Sequence, residues 1–186
     1  LGHAMAFDPV NGQVVLFGGS DSFNNETWVW NGADWVSKNA ATPPRRFWHA
    51  MAFDAVGQRI LLFGGRNFSF TNLSDTWAWD GTGWTQLSPM NSPSARVIHA
   101  MAFDPINRQV VLFGGAGVSS TLGDTWVWNG LDWTGMTSAD APSARGGHAM
   151  AFDEDRGELL LFGGPGSLFN DTWILGADSS PSIAPR

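Results

Sequence analysis

The sequence predicts an all-β fold: a β-propeller of four blades, each of four antiparallel strands, with the fourth blade lacking its outer strand. Three observations carry that prediction. The hexapeptide His-Ala-Met-Ala-Phe-Asp recurs from His3, His49, His99 and His148, at intervals of 46, 50 and 49 residues. Phe-Gly-Gly recurs in the same phase and supplies the pairs Gly18-Gly19, Gly64-Gly65, Gly114-Gly115 and Gly163-Gly164. Thr-Trp recurs at Trp28, Trp77, Trp126 and Trp173. Self-similarity at a fixed period marks a repeat architecture, in which each unit covers the apolar face of its neighbour.

The elements follow in order within each repeat. Ala4 to Phe7 is a short apolar run, and Asp8-Pro9-Val10-Asn11-Gly12 is turn chemistry, so a hairpin is expected. The second run, Val14 to Phe17, is continuously apolar, as are Ile60 to Phe63, Val110 to Phe113 and Leu159 to Phe162. Such runs suit a strand buried on both faces. Each ends at Gly-Gly, where the backbone turns without a Cβ, and a variable loop follows. The third strand carries Trp28 and Trp30 two residues apart and therefore on one face, repeated by Trp77/Trp79 and Trp126/Trp128. Asn31-Gly32 and Asp80-Gly81 then turn the chain into a fourth strand around Trp35, Trp84 and Trp133. Four antiparallel strands per unit match a propeller blade.

Composition agrees. Among 186 residues, 43% are hydrophobic and 15% charged, with 13 Phe and 11 Trp, enough apolar surface to build a core. No apolar stretch approaches the roughly 20 residues that span a bilayer. The net charge is −7 and the basic side is nine Arg with a single Lys, Lys38, so no patch suits nucleic acid. Cys is absent, which excludes disulfides and thiol chemistry. Sparse Lys and abundant Asn, Ser, Thr and Trp point to an extracellular or cell-envelope protein.

The order Arg-x-x-His, apolar run, Gly-Gly, acidic residue before Thr-Trp, then a second Trp six or seven residues later resembles the kelch repeat. The resemblance covers essentially the whole chain, in four in-phase copies. It implies that the His-Ala-Met-Ala-Phe strands lie innermost along a central channel and the Trp35, Trp84 and Trp133 strands outermost.

The repeats fall at about 1–46, 47–96, 97–145 and 146–176, with a Pro/Ser-rich tail over 177–186. In the fourth, Ile174-Leu175-Gly176 replaces the second Trp and no outer-strand Trp follows. Arg186 followed by Leu1-Gly2-His3 would restore Arg-x-x-His, as in Arg46-Phe47-Trp48-His49. Three closures stay open: a four-blade ring, a ring completed by a second copy, or an excerpt of a larger propeller. Uncovered apolar blade faces make closure of some kind expected.

Four kinds of residue are candidates for chemistry. The four His would circle one mouth of a closed ring, where imidazoles bind metals, but a residue repeated in every blade serves the blade itself, and no metal or cofactor is expected. Glu26, Asp75, Asp124 and Asp171 precede Thr-Trp in register; symmetric copies lack the unlike environments that a catalytic carboxylate pair needs. Arg46, Arg96, Arg145 and Arg186 occupy the position that peptide-binding kelch propellers, by resemblance, use at the channel mouth for acidic groups. The alternative is an Arg paired with its own blade's carboxylate. The variable loops offer Asp21 and Asn24, and Arg66, Phe68 and Phe70, as binding residues.

Copper-radical oxidases and Tyr-nucleophile sialidases are also propellers, but this chain has neither Tyr nor Cys. The expectation is a non-catalytic module that binds a protein, peptide or glycan. A structural subunit of a secreted homo-oligomer, in which a second copy is the partner, is the alternative. Carbohydrate binding or hydrolysis through Trp platforms is the other, and Trp48, the Trp outside the repeat pattern, would test it.

Overall fold

A computed structural model of the chain describes residues 1–19, 25–38, 42–138, 141–164, 170–175 and 183–185. Among the described residues sixteen strands form four sheets in sequence order. Blade 1 holds β1 (Ala4–Asp8), β2 (Gln13–Phe17), β3 (Thr27–Trp30) and β4 (Trp35–Lys38). Blade 2 holds β5 (Ala50–Asp54), β6 (Arg59–Phe63), β7 (Thr76–Trp79) and β8 (Trp84–Leu87). Blade 3 holds β9 (Ala100–Asp104), β10 (Gln109–Ala116), β11 (Thr121–Trp128) and β12 (Trp133–Met136). Blade 4 holds β13 (Ala149–Asp153), β14 (Glu158–Phe162), β15 (Thr172–Leu175) and β16 (Ile183–Pro185). Every neighbouring pair is antiparallel, and β1, β5, β9 and β13 line a common channel.

The hairpins show why these residues fold this way. The Asp closing each inner strand turns its carboxylate back on the chain: Asp8 accepts from the Val10 and Asn11 N–H groups, Asp54 from Val56 and Gly57, and Asp104 from Ile106 and Asn107. This local bonding is what makes Asp a turn residue. The residue before the second strand is left-handed in all four blades: Gly12 (φ 64°), Gln58 (51°), Arg108 (54°) and Gly157 (67°). Asn31, Asp80 and Asn129 cap the outer hairpins in the same way.

Packing is between blades. Val15, Phe17 and Val29 of blade 1 meet Met51, Ile60, Leu62, Trp79 and Trp84 of blade 2. Ala50, Ala52, Leu61 and Phe63 of blade 2 meet the equivalent residues of blade 3, Met101, Val110, Leu112, Trp128 and Trp133. A smaller cluster joins Val111 and Val127 to Leu159 of blade 4. The outer-strand Trp of blades 2 and 3 reaches back to the preceding blade, where the Trp84 indole N–H donates to the Thr27 hydroxyl at 2.8 Å and Trp133 donates to Thr76 at 3.1 Å.

The glycine pair is the second clasp. Gly19, Gly65 and Gly115 each donate their N–H to the carbonyl of the Arg that opens the next blade, at 3.0, 2.9 and 2.8 Å. At Gly18 (φ 71°) a Cβ would lie 2.5 Å from the Arg46 carbonyl oxygen, so no side chain fits there.

Blade 4 is the abbreviated one. Its third strand ends in Leu175 instead of a second Trp, and no Trp-bearing outer strand follows. In that place Ile183–Pro185, assigned by sequence to a tail, pairs with β15 in the register Trp173↔Pro185 to Leu175↔Ile183. Pro is tolerated there because the edge needs no further N–H donor. Without a counterpart of Trp84, a small apolar cavity of about 20 Å³ remains against Phe113 and Thr125. Blade 3 departs in the opposite sense. The sequence places a variable loop over Ala116 to Gly123, whereas the structure continues the hairpin through it, Ala116 pairing with Thr121 and a bulge falling between Phe113 and Gly115.

Candidate functional site at the channel mouth

The approach to each inner strand builds the mouth. Arg46 is fully buried, and its guanidinium is satisfied within blade 2. Nε donates to the Pro44 carbonyl at 3.0 Å, and Nη1 to the Gly64 carbonyl at 2.9 Å. Both terminal nitrogens also grip Asp75, at 2.6 and 2.7 Å. Arg96 holds Asp124 at 2.8 Å through each nitrogen, and Arg145 holds Asp171 in the same fork. The bidentate geometry suits Arg and no other cation. The indole of the following Trp closes each set: Trp77 donates to Asp75, Trp126 to Asp124 and Trp173 to Asp171, at 2.6, 2.7 and 2.6 Å. Trp28 donates to Glu26 at 3.0 Å.

These pairs set the carboxyl ionisation. Burial on its own would raise Asp75 and Asp124, but the hydrogen bonds and charge of Arg46 and Arg96, with the indoles, hold both below the usual carboxylate range. Asp171, hydrogen-bonded by Arg145, is pushed down to about 2. Arg46, Arg96 and Arg145 thus present buried, occupied guanidinium groups at the places where the resemblance implies ligand-binding ones. Arg186 lies outside the described residues.

His49, His99 and His148 are buried too, each edge-on to a Phe of the preceding blade: Phe17 at 5.6 Å, Phe63 at 5.7 Å and Phe113 at 5.4 Å. Desolvation, reinforced by the neighbouring Arg charge, pushes His49 and His99 down to about 3 and His148 to about 4. Among the described residues no ring nitrogen of the three meets a partner in hydrogen-bonding geometry; the carbonyls of Phe17, Phe63 and Phe113 offset only part of the penalty. Neutral imidazole is the state that fits. His3, with no preceding blade against it, is exposed. Among the described residues no group of three His, Asp or Glu is placed to hold a metal ion.

Between Arg and His, one residue per repeat carries a left-handed backbone: Gly2 (φ 77°), Trp48 (58°), Ile98 (52°) and Gly147 (67°). These residues form a ladder across the mouth. Trp48 N–H donates to the Gly2 carbonyl at 2.8 Å, Ile98 to Trp48 at 2.9 Å and Gly147 to Ile98 at 2.7 Å. Left-handed φ costs a bulky residue roughly 1–2 kcal/mol, and such strain clusters at functional positions.

Trp48 is the outlier with an exposed side chain. Its indole lies across Gly2, where a Cβ would come within 2.8 Å of it, and packs edge-on against Phe47 at 4.8 Å. The Arg66 guanidinium sits over the ring, 6.0 Å from its centroid. Phe47 is buried and also touches Phe68 at 5.8 Å; Phe68 and Phe70 are exposed on the loop beyond. That loop is held rigid. Asn67 caps it by accepting from the Ser69 and Thr71 N–H groups, and Arg66 and Phe47 exchange backbone hydrogen bonds at 2.9 and 3.1 Å. Arg66 Nε donates to Asn72 at 2.8 Å, and Asn72 donates onward to the Ala116 and Gly117 carbonyls of blade 3. Among the described residues Arg66 has no carboxylate partner.

The structure therefore brings Arg66, Phe68 and Phe70 together with Trp48 on one patch of blade 2, while Asp21 and Asn24 lie outside the described residues. Sequence reasoning missed Phe47 and Asn72 as supports of the patch. For Phe47 the available signal was its place within Arg-x-x-His; for Asn72 there was none.

Four blades around a channel, joined by Trp and Gly-Gly clasps and anchored by Arg–Asp forks, define a kelch-type β-propeller. The family model for the KLHDC2/KLHL20/DRC7 Kelch-repeats domain matches residues 2–181, and the chain belongs to that family. Kelch-repeat domains are in general protein-interaction modules. No curated protein matches the sequence.

Proposed function

We propose that this chain is a non-catalytic binding module that takes a segment of a partner protein at the channel mouth on blade 2. One observation carries the reading: a solvent-facing Trp48, held in a strained backbone conformation, stands beside Arg66, a cation with no carboxylate partner among the described residues. Trp and Arg dominate interface energetics because each combines a large contact area with a directional polar handle. The rigid loop adds pre-organisation, so little freedom is lost on binding. The patch fits an extended segment with an apolar side chain for Trp48 and Phe68 and a carboxylate for Arg66.

Selection of a displayed random-peptide library on the chain tests this. Enriched peptides are expected to place Asp or Glu beside a large apolar residue. Trp48→Ala is expected to weaken them by at least about 30-fold, the effect of losing a hot-spot side chain worth roughly 2 kcal/mol. Binders indifferent to both Trp48→Ala and Arg66→Ala would refute the site. A glycan that binds in a Trp48-dependent manner would move the reading to carbohydrate recognition.

A further inference from the structure

Three Arg residues of this chain hold a carboxylate in one and the same way, and a fourth shows half of it. In Arg46, Arg96 and Arg145 the Nε–H is anchored on the carbonyl two residues back, at 3.0, 2.9 and 3.1 Å. With Nε fixed the guanidinium cannot swing, and Nη1 and Nη2 close on an Asp as a fork. Arg66 repeats the anchor, its Nε donating to Asn72 Oδ1 at 2.8 Å. Among the described residues its two terminal nitrogens meet no acceptor. Ordering a long cation and leaving its charge unmet costs side-chain entropy that the fold does not recover.

Asn72 is itself locked. It is buried, and its amide can sit only one way round: Nδ2 donates to the Ala116 and Gly117 carbonyls at 3.3 and 3.1 Å, and Arg66 Nε needs the oxygen. Those carbonyls stand within reach because the β10–β11 hairpin continues past its Gly-Gly. The pair does not belong to the repeat. The residue after Gly-Gly is Ser20, Arg66, Ala116 and Pro165 in turn, and where blade 2 pairs Arg66 with Asn72, blade 3 pairs Ala116 with Thr121. A residue that serves the blade frame recurs in every blade, and blade 3 forms without this one.

We infer that Arg66 is a further fork, open to a carboxylate of the partner segment, and that Asn72 is the positioning residue that aims it, which rests on the binding reading above and sharpens it. The two oxygens of one carboxylate meet Nη1 and Nη2 end-on, as Asp75 meets Arg46, with the Trp48 ring beside the guanidinium. Asn72 does not touch the bound segment. It acts through Arg66, and the blade 3 hairpin acts through Asn72, so two blades set the geometry of one contact.

Two measurements with the full chain test this. In the free protein, nitrogen-edited NMR should find the Arg66 Nε–H exchanging with water distinctly more slowly than those of the exposed Arg45 and Arg108. The second uses the acidic peptide most enriched on the wild-type chain, made with its Asp and Glu intact or changed to Asn and Gln. Asn72→Ala should weaken the acidic form about five- to tenfold, the effect of ordering one long side chain on binding, and leave the amide form unchanged. In an Arg66→Ala background it should have no further effect, whereas a support for the patch at large would still be felt. Asn72→Ala also strips two carbonyls of a donor, so its melting curve is recorded, and the wild-type exchange rates decide if it does not fold. An Arg66 Nε–H as fast as that of Arg45, or a peptide weakened by Arg66→Ala and indifferent to Asn72→Ala, would overturn the role of Asn72 and leave the binding reading standing. Arg66→Ala without effect on either peptide form would remove that reading as well.

Discussion

Lowering the pH from about 7 to about 5 should remove a large part of the stability of this fold. The three buried imidazoles fit only as neutral rings, with His49 and His99 at about 3 and His148 at about 4. In the unfolded chain they take protons near their ordinary value of 6.5. Their folded values are depressed, so between roughly pH 6.5 and 4 the unfolded state binds more protons, and stability rises with pH. The contribution is complete above that window and is lost as pH falls through it. Each His contributes a slope approaching about 1.4 kcal/mol per pH unit. At pH 5 each has lost about 2 kcal/mol, and the three together about 6 kcal/mol, comparable with the whole stability of many domains. Urea unfolding followed by Trp fluorescence, repeated across this range, would measure the slope. His99→Phe, which removes one titrating group, should lower that slope by about one third. A stability that is flat from pH 7 to 5 would refute the assignment of buried neutral imidazoles.

Two further outcomes concern the blade frame. Arg46→Met should destabilise by about 3–5 kcal/mol, because Asp75 and the Gly64 carbonyl lose their donors in a buried setting; a loss under about 1 kcal/mol in chemical denaturation would show the fork to be dispensable. Gln58→Gly should stabilise by about 0.5–1 kcal/mol, because φ is 51° at an exposed position where Gly12 and Gly157 stand in the sister blades, and a lower urea midpoint would contradict the strain.

Much of the fold was legible because the repeat multiplies every local signal by four. A single Val14–Phe17 run is ambiguous, but four such runs, each between an Asp turn and a Gly-Gly, leave little besides a strand. The extension of β10 and β11 was not legible, because Gly114 and Gly115 read as a stop and only the pairing of Ala116 with Thr121 carries the hairpin on. The β16 strand was hidden as well: Ile183-Ala184-Pro185 has neither the Trp nor the tight turn that mark β4, β8 and β12.

At the site, spacing located the Arg residues but not their partners. Arg46 and Asp75 are 29 residues apart in sequence, and which of the many carboxylates it meets is decided by the fold. The patch was half-visible: Arg66, Phe68 and Phe70 stood out by their variable loop, and Trp48 by breaking the repeat. That Trp48 adopts a conformation suited to Gly follows only from the ladder beneath it.

The Arg that opens each of blades 2, 3 and 4 ties two connections to one residue. Its guanidinium staples the inner and third strands of its own sheet, and its carbonyl receives the Gly-Gly N–H of the sheet before. A blade pulled sideways therefore cannot slip its neighbour without straining its own interior. Under load the four blades should yield as a block, as a chain of links does when each link is also the rivet of the next, and resistance to shear is shared along the row of blades instead of failing at its weakest sheet.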